Sequence, residues 1–292
     1  MNEPNIIILA GGISSRMKKS AQSATEIEQS LVEDAARKSK SMIGVGAGHR
    51  PFLDYLLYNV QESGHRDVVL LIGEKDESIK EYYKGKEQKA AFSKISLTYV
   101  VQPIPLGRVK PLGTADAVFR VLETRPDWKK KQFTVCNSDN LYTQEALKLL
   151  LNSQERNSMV DYDFEGLCFP AERIYQFAIL KTDSNGFLED ILEKPSEEEL
   201  RRIKGRVGVS MNIFRFSYDD ILPYLKSVPL HPVRNEKELP GAVRLMAAEH
   251  PRSIKTYQRA EYVPDLTTVR DIPEVQKYLA EHFSRISFSG KM

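Results

Sequence analysis

The first residues suited to chemistry are those of LAGGISSRM, residues 9–17. Gly11 and Gly12 directly follow an apolar run, so the backbone there can approach an anion closely and present successive N–H groups to phosphate oxygens. Arg16 adds a fixed fork of donors that fits the same oxygens. The glycines serve a tight turn equally well. The spacing is neither the GxxxxGK[ST] of a Walker loop nor the GxGxxG of a dinucleotide turn. A second polar group, Asn137-Ser138-Asp139-Asn140, comes at the end of another apolar run. The chain has no recognisable Ser-His-Asp or Cys-His arrangement, and its five histidines are scattered without metal-ligand spacing.

Alternating strands and helices must position these groups. Ile6 to Leu9, Val68 to Ile72, Leu97 to Val101 and Phe133 to Cys136 read as buried strands. Pro51 to Glu62, Ser78 to Tyr83 and Thr114 to Leu122 read as helices, the first opened by a proline and stopped by Gly64. That order implies an α/β fold with a mainly parallel twisted sheet and helices on both faces. Ligands gather at the carboxyl ends of such strands, where Gly11-Gly12 and Asp139 both fall. Farther on, Phe177 to Lys181, Phe187 to Leu192, Gly208 to Phe216 and Ser253 to Tyr257 read as strands, with Asn185-Gly186 as a turn. They are expected to extend the same sheet and cover the site. Residues 1–292 are taken as one domain of two halves, residues 1–150 and 151–292. Two segments fit no compact pattern: the polar stretch Lys18 to Arg37, and Pro105 to Gly113 with its doubled PLG.

Composition narrows the classes. Hydrophobic residues make up 41%, enough for a sizeable core. Lys plus Arg number 42 against 40 Asp plus Glu, which argues against nucleic acid as a partner. Lys129-Lys130-Lys131 is read as solvated surface. Cys136 and Cys168 lie in apolar stretches with no CxxC partner, so a reducing compartment is favoured. No apolar run approaches the roughly 20 residues of a membrane helix, and MNEPN lacks a basic leader. A cytoplasmic protein without a membrane partner is expected.

Six segments, in order and over nearly the whole chain, resemble the sugar-1-phosphate nucleotidylyltransferase (nucleoside-diphosphate-sugar pyrophosphorylase) family. LAGGISSRM is similar to LAGGxSxRM. KSMIGVGAGHRPFLDYLL from Lys40 resembles (P)KxMxPVxGxPLLxYxL, PLGTADAV from Pro111 resembles GTAxAV, and NSDNLYT from Asn137 resembles GDNLYY. ILEKPS from Ile191 contains EKP, and VPDLTT from Val263 resembles WxDxGT. The resemblance implies a Rossmann-like nucleotide-diphospho-sugar transferase fold, without the hexapeptide repeats of the β-helix that some relatives append. It implies an NTP and a sugar 1-phosphate as substrates, NDP-sugar and pyrophosphate as products, and Mg²⁺ as cofactor. A homo-oligomer is also allowed, since relatives often assemble.

The attacking phosphate oxygen in such a reaction is already ionised, so charge neutralisation and alignment matter more than a general base. Carried over residue by residue, Arg16 holds the leaving pyrophosphate and Lys40 contacts the α-phosphate or the attacking phosphate. Lys18, Lys19 and Lys38 are alternative counterparts, because Ser39 replaces the family proline and residues 18–37 look inserted. Leu9, Ala10, Gly11, Gly12, Gln102, Gly113 and Thr114 would hold the nucleotide. The Gln102 amide, with adjacent donor and acceptor, suits uracil or thymine without excluding guanine. Asp139 and Asp265 would bind Mg²⁺, their alternatives being a helix cap and a turn residue; DLTT replaces DxGT at the second. Ala178, Glu193, Lys194 and Ser210 would hold the sugar phosphate, with Met211-Asn212 replacing a Gly-aromatic pair. Transfer to a non-sugar acceptor, or a catalytically weak regulatory protein that binds nucleotide sugars, are the rival readings.

Overall fold

The computed structural model describes residues 3–22, 27–170, 173, 176–193, 195, 207–286 and 288. Lys194 and the charged stretch 197–202 lie outside them. β1 (Asn5–Ala10), β2 (Asp67–Gly73), β3 (Ser96–Gln102) and β4 (Gln132–Asn137) pair in parallel in the order β3-β2-β1-β4. The run in β1 is continuously apolar because both faces of the sheet are covered. Alternate side chains enter different cores: Ile6, Ile8, Val68 and Leu70 one, Ile7, Val69 and Leu71 the other.

The helices divide accordingly. α1 (Ser15–Ala21), α2 (Gln29–Arg37), α3 (Phe52–Ser63) and α4 (Ser78–Tyr83) bury residues in the first core, with the short α5 (Lys86–Ala91) at its margin. α6 (Thr114–Thr124) faces the second core, and α7 (Gln144–Leu151) returns to the first. α8 (Tyr218–Ser227) and α9 (Leu239–Glu249) complete the second core, and α10 (Ile272–His282) the first. The ends of α3 are as read from the sequence: Pro51 precedes it and Gly64 stops it at φ +103°, a conformation glycine adopts without strain.

The second half of the sheet is mixed. β5 (Ser158–Asp163) runs parallel to β10 (Lys255–Arg259) and antiparallel to β8 (Gly208–Ser210) and β9 (Phe214–Ser217). β6 (Ala178–Thr182) and β7 (Leu188–Glu193) form a hairpin across Asn185-Gly186, and β8 joins its other side. The expected single strand from Gly208 to Phe216 is therefore two. It breaks where Asn212 takes φ 56° and Tyr142 Oη donates to the Met211 carbonyl at 2.6 Å. The break lets β9 bridge β4 and β5 while β8 bridges β5 and β6.

The polar stretch 18–37 departs from the expectation of a poor fit. Its second part forms α2, which buries Leu31 and Ala35 in the first core. Burying a leucine side chain contributes about 2 kcal/mol, so this segment is part of the fold. Lys129 to Lys131 are exposed, as read from the sequence.

Candidate active site

A cleft of about 350 Å³ opens at the carboxyl ends of β1, β3 and β4. It gathers ten of the residues named from the sequence: Leu9, Ala10, Gly11, Gly12, Arg16, Lys40, Gln102, Gly113, Thr114 and Asp139. Two glycines shape its floor differently. A Cβ on Gly11 would lie 3.3 Å from the Leu71 side chain, whereas Gly12 has nothing within 4 Å of that position. Gly11 lets β1 close against β2, and Gly12 leaves the loop open to a ligand. Ser14 caps α1 in the left-handed region at φ 55°, a strained choice for a residue with a side chain. Its hydroxyl accepts from the Lys40 N–H at 3.2 Å. Arg16 is exposed on the first turn of α1, with no ion-pair partner among the described residues.

Lys40 stands at the start of a single 3₁₀ turn, Lys40–Met42, and its ammonium contacts the Asp139 carboxylate. Both side chains are largely enclosed, at 16% and 19% exposure. This contact favours Lys40 over Lys18, Lys19 and Lys38 as the lysine of the cleft, because Lys38 is engaged by Asp34 at 2.7 Å instead. Asp265 lies beside Asp139 through backbone pairing: Leu266 N–H donates to the Asp139 carbonyl at 2.8 Å, and Leu141 N–H to the Pro264 carbonyl at 2.9 Å. Asn140 Nδ2 donates to Asp265 Oδ1 at 3.2 Å. Burial pushes the Asp265 carboxyl above the usual carboxylate range, and the Asp139 charge adds to this; Arg173 and Lys40 oppose them.

One further cation, Arg173, completes this corner. Arg173 Nη2 reaches Asp265 Oδ2 at 2.8 Å, and its Nη1 reaches Asp271 Oδ1 at 2.5 Å. Asp271 in turn accepts from the Thr267 and Thr268 N–H groups at 2.9 and 2.6 Å. The DLTT loop is thereby rigid without the family's glycine, and the Thr267 hydroxyl adds a 2.9 Å bond to Asp265. Arg173 has no local sequence signal; only the packing of 265–271 against it reveals its place.

Among the described residues no cluster of three or more His, Cys, Asp or Glu side chains could enclose a metal. The donor set is two carboxylates, and the Lys40 ammonium already rests on one of them as a cation would. All-oxygen ligation by two carboxylates, with phosphate and water completing the shell, fits a hard divalent cation. The family is in general dependent on a divalent metal.

At the other end of the cleft, Gln102 donates both amide hydrogens to the protein: one to the Gly113 carbonyl and one to Asp116 Oδ2, each at 2.9 Å. Two acceptors fix the orientation of the amide, so its oxygen is the group left for a ligand. This corrects the sequence reading of an adjacent donor and acceptor. Gly113 takes φ +108°, and a Cβ there would meet the Lys237 carbonyl at 2.5 Å. The Thr114 hydroxyl is engaged as well, accepting from Leu239 N–H at 2.8 Å. Loop 105–113 is held by the segment before α9: Lys110 Nζ contacts Glu236 Oε1 at 2.5 Å and the Arg234 carbonyl at 2.8 Å.

On the sugar side, Glu193, Ala178 and Ser210 fall in one row across β7, β6 and β8, as direct register partners. They do not line the cleft of the nucleotide residues. Ser210 is buried, and its hydroxyl accepts from Asn212 N–H at 3.2 Å. Glu193 Oε2 pairs with Arg234 Nη2 at 3.0 Å, and Arg234 also contacts Glu238. Sequence reasoning missed Arg234, which joins the sugar-side row to the strap over loop 105–113.

Residues 35–282 match the nucleotidyl transferase family, and the chain belongs to that family. It is similar to a glucose-1-phosphate adenylyltransferase of Bifidobacterium animalis subsp. lactis, 24% identical over 295 residues, covering 97% of this chain and 66% of that protein. It also resembles a D-glycero-alpha-D-manno-heptose 1-phosphate guanylyltransferase of Campylobacter jejuni subsp. jejuni serotype O:2, 26% identical over 164 residues, covering 55% and 60%. The chain thus spans two thirds or less of the length of these curated relatives. A crystal structure of UDP-glucose pyrophosphorylase with UDP-glucose superposes with TM-score 0.70 at 17% identity, covering 96% of this chain and 99% of that one. It shares the fold. Among the described residues no helix is long and apolar enough to cross a membrane.

Proposed function

We propose that this protein transfers a nucleotidyl group from a nucleoside triphosphate to a sugar 1-phosphate, releasing pyrophosphate. The observation that carries this reading is the Lys40–Asp139 contact, beside Asp265 and facing the Gly11-Gly12 loop. An in-line displacement between two polyanions needs cations on the reacting phosphates and an acidic pair to hold a metal among them. Mg²⁺, held by Asp139 and Asp265, would supply Lewis-acid neutralisation of the phosphate oxygens. Arg16, without an ion-pair partner among the described residues, would take the leaving pyrophosphate, and Lys40 would steady the phosphate at the reacting centre. The row Glu193, Ala178 and Ser210, with Lys194, forms the sugar-phosphate side. Residues 1–150 thus serve the nucleotide and 151–292 the sugar. The Gln102 oxygen calls for a base edge that brings a hydrogen-bond donor. The near-even balance of basic and acidic residues and the two cysteines without a CxxC partner support a cytoplasmic enzyme acting on small molecules.

The experiment is pyrophosphate release by the purified protein with Mg²⁺ across the common nucleoside triphosphates and a panel of sugar 1-phosphates. Release that requires one nucleotide and one sugar phosphate names both substrates. Folded protein silent across the whole panel rules the reading out in favour of a non-sugar acceptor or a binding-only role.

A further inference from the structure

The inserted helix α2 has no part in the reading above, yet it is fastened to the loop that carries Lys40. Leu31, Asp34 and Ala35 form one buried stripe along it. An acid on such a stripe is costly to bury unless it is paired, and Asp34 has three donors. Lys38 Nζ lies 2.7 Å from Oδ1, Gly44 N–H donates to Oδ2 at 3.0 Å, and His49 Nε2 lies 2.9 Å from Oδ2. These donors stand on both sides of Lys40 in the chain. Gly44 and His49 fit only together, since a Cβ on Gly44 would lie 2.5 Å from the His49 ring. Gly48 and His49 both take the left-handed conformation, at φ 64° and 60°, which swings the ring back to Asp34. That conformation is disfavoured for a residue with a side chain, so the contact holds the loop in a shape it would otherwise leave.

We propose that Asp34 is a positioning residue for Lys40, acting as a clasp that closes loop 38–49 onto the cleft. The inference rests on the role given to Lys40 above. The Ser14 hydroxyl fixes the Lys40 backbone from one side and the clasp from the other. The long flexible lysine stem then places its ammonium on Asp139. An error of about 1 Å in a reacting group can lower a rate by on the order of 100-fold.

The test has two readouts on Asp34→Asn and Asp34→Glu. The first is the acetylation rate of individual lysines under an amine reagent, followed by mass spectrometry, with exposed Lys129 as internal standard. Asp34→Asn is expected to raise Lys40 labelling about as much as Asp139→Asn does, and Asp34→Glu to restore protection. The second is steady-state transfer: kcat falls about tenfold in Asp34→Asn with both KM values within about twofold, and no further loss appears in a Lys40→Gln background. Unchanged Lys40 labelling in folded Asp34→Asn overturns the clasp, as does a loss that multiplies with that of Lys40→Gln. Lys40 released with transfer unimpaired means that Lys40 itself is misassigned, and the proposal falls with it. If Asp34→Asn does not fold, His49→Asn gives the same readings: its side chain is 46% exposed and asparagine tolerates positive φ.

Discussion

At one end of β4, Thr134 sits in a fully buried cluster with His65 and Arg215; just beyond the other end, Asp139 meets Lys40 in the cleft. Both places hold a basic side chain against polar partners of the same sheet. In the buried cluster, His65 Nδ1 faces Ser63 Oγ at 2.8 Å and its Nε2 faces Thr134 Oγ1 at 3.0 Å, with neutral hydroxyls on both sides. Burial holds the imidazole down to about 3, and the nearby Arg215 and Arg66 charges reinforce it. Arg215 is held down to about 10 by burial, the Glu3 carboxylate opposing this from 3.9 Å away. In the cleft, by contrast, acids and bases pair directly and stay in reach of solvent. The difference is accessibility: a charge that must trade partners with a ligand cannot be sealed in, whereas one that only fills space can be.

Four measurements would break or sharpen this contrast. Asp139→Ala should lower kcat by on the order of 10³-fold or more while the protein stays folded, because the carboxylate lines the cleft and not the core and is proposed to hold the metal; circular dichroism and turnover together decide it. The next effect is on stability. The folded pKa of His65 lies below its unfolded value, so the unfolded chain takes up a proton that the folded one refuses. Its contribution is therefore complete above about pH 6.5 and is lost as pH falls toward about 3, with a slope of up to about 1.4 kcal/mol per pH unit. Urea unfolding at several acidic pH values should show that slope, and His65→Gln should lack it. A wild-type curve as flat as the variant's would disprove the sealed imidazole.

Lys194→Ala should raise KM for the sugar phosphate by about tenfold, or about 1.4 kcal/mol, with little change for the nucleotide. An effect confined to the nucleotide would contradict the division between the two halves. The smallest change is expected from Arg215→Met. A poorly paired buried cation is often replaceable by an apolar side chain of similar volume, so stability should stay within about 1 kcal/mol or rise, and kinetics should not move. A large loss would show that the buried charge is needed where it sits.

Much of the cleft was legible in the sequence because motif residues follow apolar runs, and a run followed by Gly-Gly or by Asn-Ser-Asp places its side chains at one sheet edge whatever the rest does. Arg173, Arg234 and Asp34 were not legible for the converse reason. Each is one charged residue, and the partner that ties it to the site lies 92, 41 or 15 positions away in the chain. β5 was also missed, since SMVDYD breaks the apolar alternation and is buried only because β8, β9 and β10 all pair with it.

The sequence by itself determined the parallel core, the place of the Gly11-Gly12 loop at its edge and the family, because strand period, glycine placement and motif order can be read along the chain. Tertiary structure alone decided which lysine reaches Asp139, which way the Gln102 amide faces and where the inserted helix packs. Those outcomes depend on which donors and acceptors meet across long separations, and many pairings are compatible with the same local pattern.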